Sequence, residues 1–553
     1  MAAPTSIPVI PASVALEFEI KTFRFSWCDV PDATHYRLLE NPDGSSGFSQ
    51  VGGDIAQGTQ VYKHIVPLYK RFDAAYILQS CNAFGCVDGS RLSVTGGLTE
   101  AIGYFKASNS ALGAEFGYSV SLSDDGSTLA VGARYESGGS GAVHVFRRTG
   151  GSWTETALLE ASNADDGDAF GYSVSLSDDG NALAVGARWE DSGSAGINST
   201  PDELLSQSGA AYVYRYNGIA WFEQAYLKAG NPGMNDEFGW AVSLSGDGNT
   251  LAVGAVEDSG TTGINTTPDE AAADSGAVYI YRYNTGVWSQ EAFIKSSNSE
   301  AGDVFGASVS LSQDGNILLV GAYGEDSDSN GVNTVANELA PVSGAAYVFD
   351  RSGATWTESA YIKASNSGVG DVFGTRVELS GDGKTMVIGA YLEDSGSSGM
   401  NSIPDDLNSD SGAAYVFFNN GATWAEQAYI KSANPDVEDY FGVSVSLSND
   451  GNVLLIGAHG EDGGTGGIGA VPDELAPNAG AAYVFIRNGA TWSELTSLKA
   501  TDPTSGDQFG LSLDVSGDGN TLAVGAYLED SSTSGIGTDP DELAAQSGAV
   551  YVY

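Results

Sequence analysis

The sequence predicts an all-β protein: a seven-bladed β-propeller of four-stranded antiparallel blades over residues 100–553, preceded by a β-sandwich over 1–99. Three observations carry this reading. Seven Phe-Gly pairs (Phe116-Gly117, Phe170-Gly171, Phe238-Gly239, Phe305-Gly306, Phe373-Gly374, Phe441-Gly442 and Phe509-Gly510) recur at intervals of 54, 68, 67, 68, 68 and 68 residues. Such a period marks one supersecondary unit that is repeated and stacked. Within each unit the side-chain pattern has a period of two, with no helical periodicity anywhere. Asp-Gly pairs punctuate the units as hairpin turns.

Each unit holds four strands. The first reads FGxSVSLS, where Tyr172, Val174 and Leu176 alternate with Gly171, Ser173 and Ser175. The second is NTLAVGA, the third SGAxYVY as at Ser275–Tyr281, and the fourth AYIKASN as at Ala360–Asn366, after a Gly-x-x-Trp turn. Radial repetition of such sheets protects their edges. The turn Trp occurs six times (Trp153, Trp221, Trp288, Trp356, Trp424 and Trp492), because the chain stops at Tyr553, after a third strand. A copy of the fourth strand, Tyr104 to Asn109, precedes the first unit, so 102–109 is expected to close the ring as the outer strand of blade seven.

The phrase FG…DG…VGA…GAxYVY resembles the FG-GAP repeat of integrin α-subunit propellers and their bacterial relatives, over about 102–553. That resemblance implies a propeller and cell-surface adhesion. The family's calcium loop between the first two strands is shortened here to S-x-D-G, as at Ser245–Gly248, and reads as a plain turn.

The N-terminal piece carries six strand-like runs between Val14 and Thr95. Trp27, the stretch Asp29 to Tyr36, and Tyr76…Cys81-Asn82…Gly85 resemble a fibronectin type III sandwich, which would make Tyr76 its corner tyrosine. Cys81 and Cys86 are close enough for a hairpin disulfide, while Cys28 is expected to point away from the core, unpaired. A disulfide favours an oxidising compartment. We therefore expect an extracellular, cell-surface or periplasmic protein, whose start reads as a mature or an engineered one with its leader removed. No apolar run is long enough to span a bilayer.

The chain has 71 acidic and 23 basic residues; residues 1–101 hold 10 and 7, leaving 61 and 16, net −45, for the propeller. This charge excludes ordinary nucleic-acid binding and argues against anionic membranes. It suits cation binding or a salty medium.

Blades two to seven carry an insertion of about fourteen residues between the second and third strands, in its fullest form E-D-S-x-x-x-G-I-N-x-x-P-D-E. Loops that grow on one face of a repeat fold are where binding usually resides. Counting the first Asp as position 1, Gly falls at position 6 and Asp at position 12. The Asp pairs are Asp191/Asp202, Asp258/Asp269, Asp394/Asp405, Asp462/Asp473 and Asp530/Asp541. Blade four offers Asp326, Asp328, Asn330 and Glu338. Oxygen ligands around a glycine turn point to calcium as a possible cofactor. A further Asp precedes each of the last six Phe-Gly pairs by two residues (Asp168, Asp236, Asp303, Asp371, Asp439 and Asp507), and only blade one lacks both this Asp and the insertion. The alternative is that these carboxylates cap loop amides as Asx-turns.

A second set comes from places where the repeats differ. Tyr118, Tyr172 and Trp240 follow Phe-Gly in blades one to three, against Ala307, Thr375, Val443 and Leu511 in the others. Arg134, Arg188, Val256, Tyr323, Tyr391, His459 and Tyr527 follow the second-strand Gly-Ala, with Trp189 beside Arg188. Tyr118, Arg134, Tyr172, Arg188, Trp189 and Trp240 thus form a candidate patch for a sugar or an acidic side chain. Enzyme signatures are lacking: the four histidines show no metal spacing, and no carboxylate pair stands out against the repeat. The expected function is non-catalytic binding of a protein or glycan by a monomeric propeller, with a carbohydrate-active enzyme or a structural assembly component as alternatives.

Overall fold

The computed structural model describes residues 6–260, 262–266, 271–471 and 473–553. It divides into two units: Met1–Gly103 with Thr149–Ser152 and Val552–Tyr553, and Tyr104–Arg148 with Trp153–Tyr551.

The first unit has two antiparallel sheets. Strands β1 (Ala15–Glu19), β2 (Thr22–Ser26) and β5 (Val61–Ile65) form one. The other has the order β4 (Ser49–Ala56), β3 (His35–Asn41), β6 (Ala75–Asn82), β7 (Gly85–Ser93). Alternate residues of these strands, Phe23, Phe25, Tyr36, Leu38 and Tyr76, are fully buried and make the core. Cys81 and Cys86 lie directly opposite each other in register and are bonded, with Cα atoms 4.1 Å apart; Cys28 is exposed. Tyr76 does not behave as a corner tyrosine. Its hydroxyl donates to the Glu40 carboxylate at 2.7 Å rather than to backbone.

The second unit is a β-propeller of seven antiparallel sheets. Blade two is representative, with strands Phe170–Leu176, Ala182–Ala187, Ala210–Tyr216 and Trp221–Leu227 in that order. The sheet that contains the last three strands of the chain takes β8 (Gly103–Phe105) as its fourth member.

Two features of the repeat are explained by packing between blades. The Phe of each Phe-Gly is fully buried against third-strand rings, as Phe373 is against Tyr415 at 5.3 Å. The glycines permit the approach of adjacent backbones. Gly374 has φ +96, and a Cβ on Gly321 of the preceding blade would lie 1.9 Å from the Gly374 carbonyl oxygen. Only glycine fits both conditions.

Each blade also buries an ion pair. The Lys that ends the fourth strand meets the Glu that follows the second: Lys228–Glu190 at 2.7 Å, Lys363–Glu325 at 2.8 Å, Lys431–Glu393 at 2.8 Å, and Lys499–Glu461. Lys106 supplies the cation to Glu529 at 2.7 Å, in the sheet that β8 joins. In blade three, which is one residue short, Asp258 takes the glutamate's place and meets Lys295 at 3.1 Å. Asp258 is 1% exposed and is therefore not the surface loop ligand expected from its alignment with Asp191. Blade one has Glu160 where the Lys should be. It restores the cation from another strand, with His144 bonded to Glu136 at 2.8 Å and Glu155 at 2.9 Å; burial alone would lower this imidazole, but the two carboxylates outweigh it and push it up to about 9.

The insertions do not simply stand out from one face. Each returns along the outer edge of its own fourth strand: Ile197 bridges Leu227, Val332 bridges Ile362, and Met400 bridges Ile430. In blade six the contact is regular enough to form a fifth strand, Gly467–Ile468. The glycine at position 6 serves this edge pairing, with the Gly196 amide donating to Ala229 and its carbonyl accepting from Lys228. The outer edge is thereby covered.

Lys363→Met should leave Glu325 buried and unpaired, at a cost of about 3–5 kcal/mol read from the urea midpoint. Adding Glu325→Gln should recover part of this loss. A change under about 1 kcal/mol would mean that the pair does not hold the blade.

Candidate binding site at the propeller axis

The first strands of all seven blades line an axial channel. At its mouth on the insertion side, the residue before each Phe is left-handed in every blade, with φ between 52 and 58° from Glu115 to Gln508. Of the residues at this position, Tyr440 and Gln508 line the cavity at the mouth.

The six residues of the predicted patch do come together. Tyr118 and Tyr172 have centroids 5.1 Å apart, and Tyr172 and Trp240 are 5.4 Å apart. Arg134 lies 3.6 Å above Tyr118, and Arg188 lies 4.2 Å from both Tyr172 and Trp189 and 4.4 Å from Trp240. Arg134 pairs with Glu115 at 2.7 Å and Arg188 with Glu237 at 3.6 Å, while the Trp189 indole donates to Glu237 at 3.0 Å. These charges and ring faces are spent on one another, so the patch is a filled wall.

The opening lies across from it. Where Phe-Gly is followed by Ala307, Thr375, Val443 and Leu511, a cavity of about 670 Å³ remains, bounded by Trp240, Tyr323, Arg376, Tyr391, Tyr440 and His459. Asn478 of the blade-six insertion and Gln508 complete its rim. Tyr440 stacks on His459 at 4.9 Å. Burial pulls the His459 imidazole down to about 4, so it is neutral, and its buried Nδ1 has no partner among the described residues. Arg376 donates to the Thr375 carbonyl at 3.1 Å, and among the described residues no carboxylate lies within 4 Å of it. Sequence reasoning weighted large residues and so chose the filled half. The missed signal was Arg376 itself, in a slot held by Ser119, Ser173, Ala241, Ser308, Ser444 and Ser512 in the other blades.

Deeper in the channel, Glu378 and Asp514 occupy the slot held elsewhere by Ser121, Ser175, Ser243, Ser310 and Ser446. These two carboxylates break the repeat symmetry, contrary to the expectation that none does. Asp514 accepts from the Leu122 amide at 2.7 Å and the Ser446 hydroxyl at 2.9 Å, work that Ser121 does for Leu176 at 3.0 Å. Burial pushes Asp514 up to about 6, and burial with the Asp514 charge pushes Glu378 well above the usual carboxylate range.

In the insertions, the carboxylates expected to bind calcium hold loop backbone. Asp191, Asp326, Asp394, Asp462 and Asp530 each accept from the amide sixteen residues on, at 2.7–2.9 Å. Asp202, Asp405, Asp473 and Asp541 accept from the amides of Gly193, Gly396, Gly464 and Ser532 at 2.6–2.8 Å. In blade four Asn337 bonds Asp328 at 2.8 Å and Asn330 caps Ser367 at 2.9 Å. Asp269 lies outside the described residues. Among the described residues, no three of these carboxylates bring oxygens within 4.8 Å of one another; the one such group is His35, Cys81 and Cys86, whose cysteines are bonded. A different acidic set is left poorly neutralised. Asp168, Asp303, Asp371, Asp439 and Asp507 are each pushed up to about 7, first by burial and then by facing acids that include Glu203, Glu338, Asp406, Glu474 and Glu542.

Fold and site together define a repeat-built propeller with a ligand-sized axial pocket. The family model described as FG-GAP repeat matches residues 103–146, 153–214, 221–281, 288–349, 356–417, 424–485 and 492–553, and the chain belongs to this family. Among solved structures it is similar to the Kuenenia stuttgartiensis hydrazine synthase (11% identity, 75% of this chain and 92% of that one, TM-score 0.42). It is similar also to the WD40 repeats of RRP9 (8% identity, 82% and 96%, TM-score 0.43). A comparison with curated protein sequences gives no match.

A carboxyl whose folded-state pKa is raised takes up a proton on folding, so its stabilisation is complete below its unfolded pKa and is lost as pH rises through the folded one. For Asp514 that window runs from about 4 to about 6. Asp514→Asn should match the wild type near pH 4 and exceed it by about 3 kcal/mol at pH 8. A stability difference that does not change with pH would show that Asp514 is not strained by its charge.

Proposed function

We propose that this chain is a non-catalytic binding protein that takes a protein or glycan ligand into the axial pocket of its insertion-bearing face. The observation that carries this reading is the cavity of about 670 Å³, left open by four small residues and walled by aromatic rings. Pockets of this size with a few convergent polar groups are the usual form of ligand sites. The disulfide and the acidic surface support an extracellular setting, and the integrin-like adhesive role remains part of this proposal. The sheet orders β1-β2-β5 and β4-β3-β6-β7 support a fibronectin III-like module. The pairing of β8 with the last strand supports closure of the ring by 102–109.

Leu511→Trp should fill the pocket without disturbing the blades. Binding to a panel of immobilised glycans and matrix proteins should then be lost while Tm is unchanged. Undiminished binding by this variant would move the site away from the axis.

A second proposal keeps calcium but moves it to the poorly neutralised acids, such as Asp303 with Glu338. A cation would relieve their repulsion. Calcium should raise Tm more than magnesium does. In chelator, Asp303→Asn should raise Tm by a few degrees and abolish the calcium response of that blade. No response to calcium in the wild type would remove the metal from the scheme.

A further inference from the structure

Charge distribution around the pocket narrows its ligand. The propeller carries 61 acidic and 16 basic residues, yet among the described residues no carboxylate lines the axial pocket. Arg376 projects into it with one hydrogen bond, to its neighbour's carbonyl, and no acidic partner among the described residues. By contrast, Arg134 and Arg188 in the filled half of the mouth each meet a carboxylate. A guanidinium left with open donors at the base of an aromatic pocket is suited to a bidentate anion. Arg376 lines this cavity together with the Tyr323 and Tyr391 rings.

We propose that the pocket holds a saccharide residue bearing one carboxylate, with the carboxylate on the Arg376 guanidinium and the ring against the aromatic wall. This assignment rests on the binding reading above and names its ligand class. Three features favour an acidic sugar over an acidic peptide. The pocket is much wider than one Asp or Glu side chain, whereas a pyranose ring offers an apolar face to the aromatic rings. The Asn478 and Gln508 side-chain amides on the rim offer hydrogen-bonding positions for hydroxyls. The rim beyond is acidic, so a chain presenting several negative charges is repelled while a single inserted charge is not. A terminal or isolated acidic sugar meets all three conditions.

The test compares methyl glucuronide, methyl glucoside and N-acetyl-glutamate amide by saturation-transfer NMR and calorimetry, on the full chain. The proteins are wild type, Arg376→Gln, Arg376→Lys and Val443→Trp, each checked for an unchanged Tm. The glucuronide should bind at least tenfold more tightly than the glucoside, and its affinity should fall with added salt. Arg376→Gln should weaken it about 10- to 100-fold, the range for a lost charge-assisted hydrogen bond, and Arg376→Lys should restore part of the loss. Val443→Trp should abolish binding of both sugars. Equal affinity for the two sugars, indifferent to Arg376→Gln, would overturn the acidic assignment and leave the pocket as a neutral-glycan site. Preference for the glutamate derivative would replace the sugar with an acidic peptide. No binding of the glucuronide by wild type would overturn the assignment outright, while the pocket itself would still be judged by Leu511→Trp on the immobilised panel. Because the three-ligand comparison needs only the wild type, a variant that fails to fold leaves the proposal open to refutation.

Discussion

In every blade one buried cation faces one buried carboxylate, and most of the remaining architecture is arranged around that pair. The cation is anchored at the end of the outer strand and the carboxylate at the end of the second. In blade two the Lys228 ammonium also donates to Ser208 before the third strand, and Tyr226 and Asn163 donate to Glu190, Asn163 coming from the preceding blade. Three parts of one blade and a loop of its neighbour are therefore fixed by one charge. A buried pair is weak as a net source of stability, but the loss of one partner is costly. This accounts for the form of blade one, where His144 supplies the cation after Glu160 has replaced the lysine. Charge balance is kept even though the residue that keeps it has changed strand.

Because the pair and the glycine contacts hold the blades together, the axial end of the first strand is free to vary. That is where the repeats differ in chemistry. Large rings on blades one to three close half of the mouth, and small residues on blades four to seven open the other half. The same freedom admits Glu378 and Asp514 deeper in the channel at the cost of raised pKa values. The outer edge varies little, because each insertion is committed to covering it and its Asp residues to fixing its own turns.

The poorly neutralised acids beside the insertions follow from the same arrangement. An Asp two residues before Phe-Gly must bend its loop by accepting a backbone amide, as Asp303 does from Glu300 at 2.8 Å. That position also lies near the blade's buried glutamate. Loop geometry and electrostatics conflict there.

The sequence by itself determined the strands, their order and the number of blades, because each depends on contacts repeated every 68 residues or so between near neighbours. Phe373 and Gly374 are legible for this reason, and so is the hairpin at each Asp-Gly. Only the tertiary structure decided that Tyr118, Tyr172 and Trp240 stack into a wall, that Asp258 is a buried partner of Lys295, and that Arg376 stands without an acid in an open pocket. Those facts depend on seven first strands meeting at one axis, across hundreds of residues of chain. A repeat sequence specifies each blade separately. What lies at the axis is decided where all seven converge.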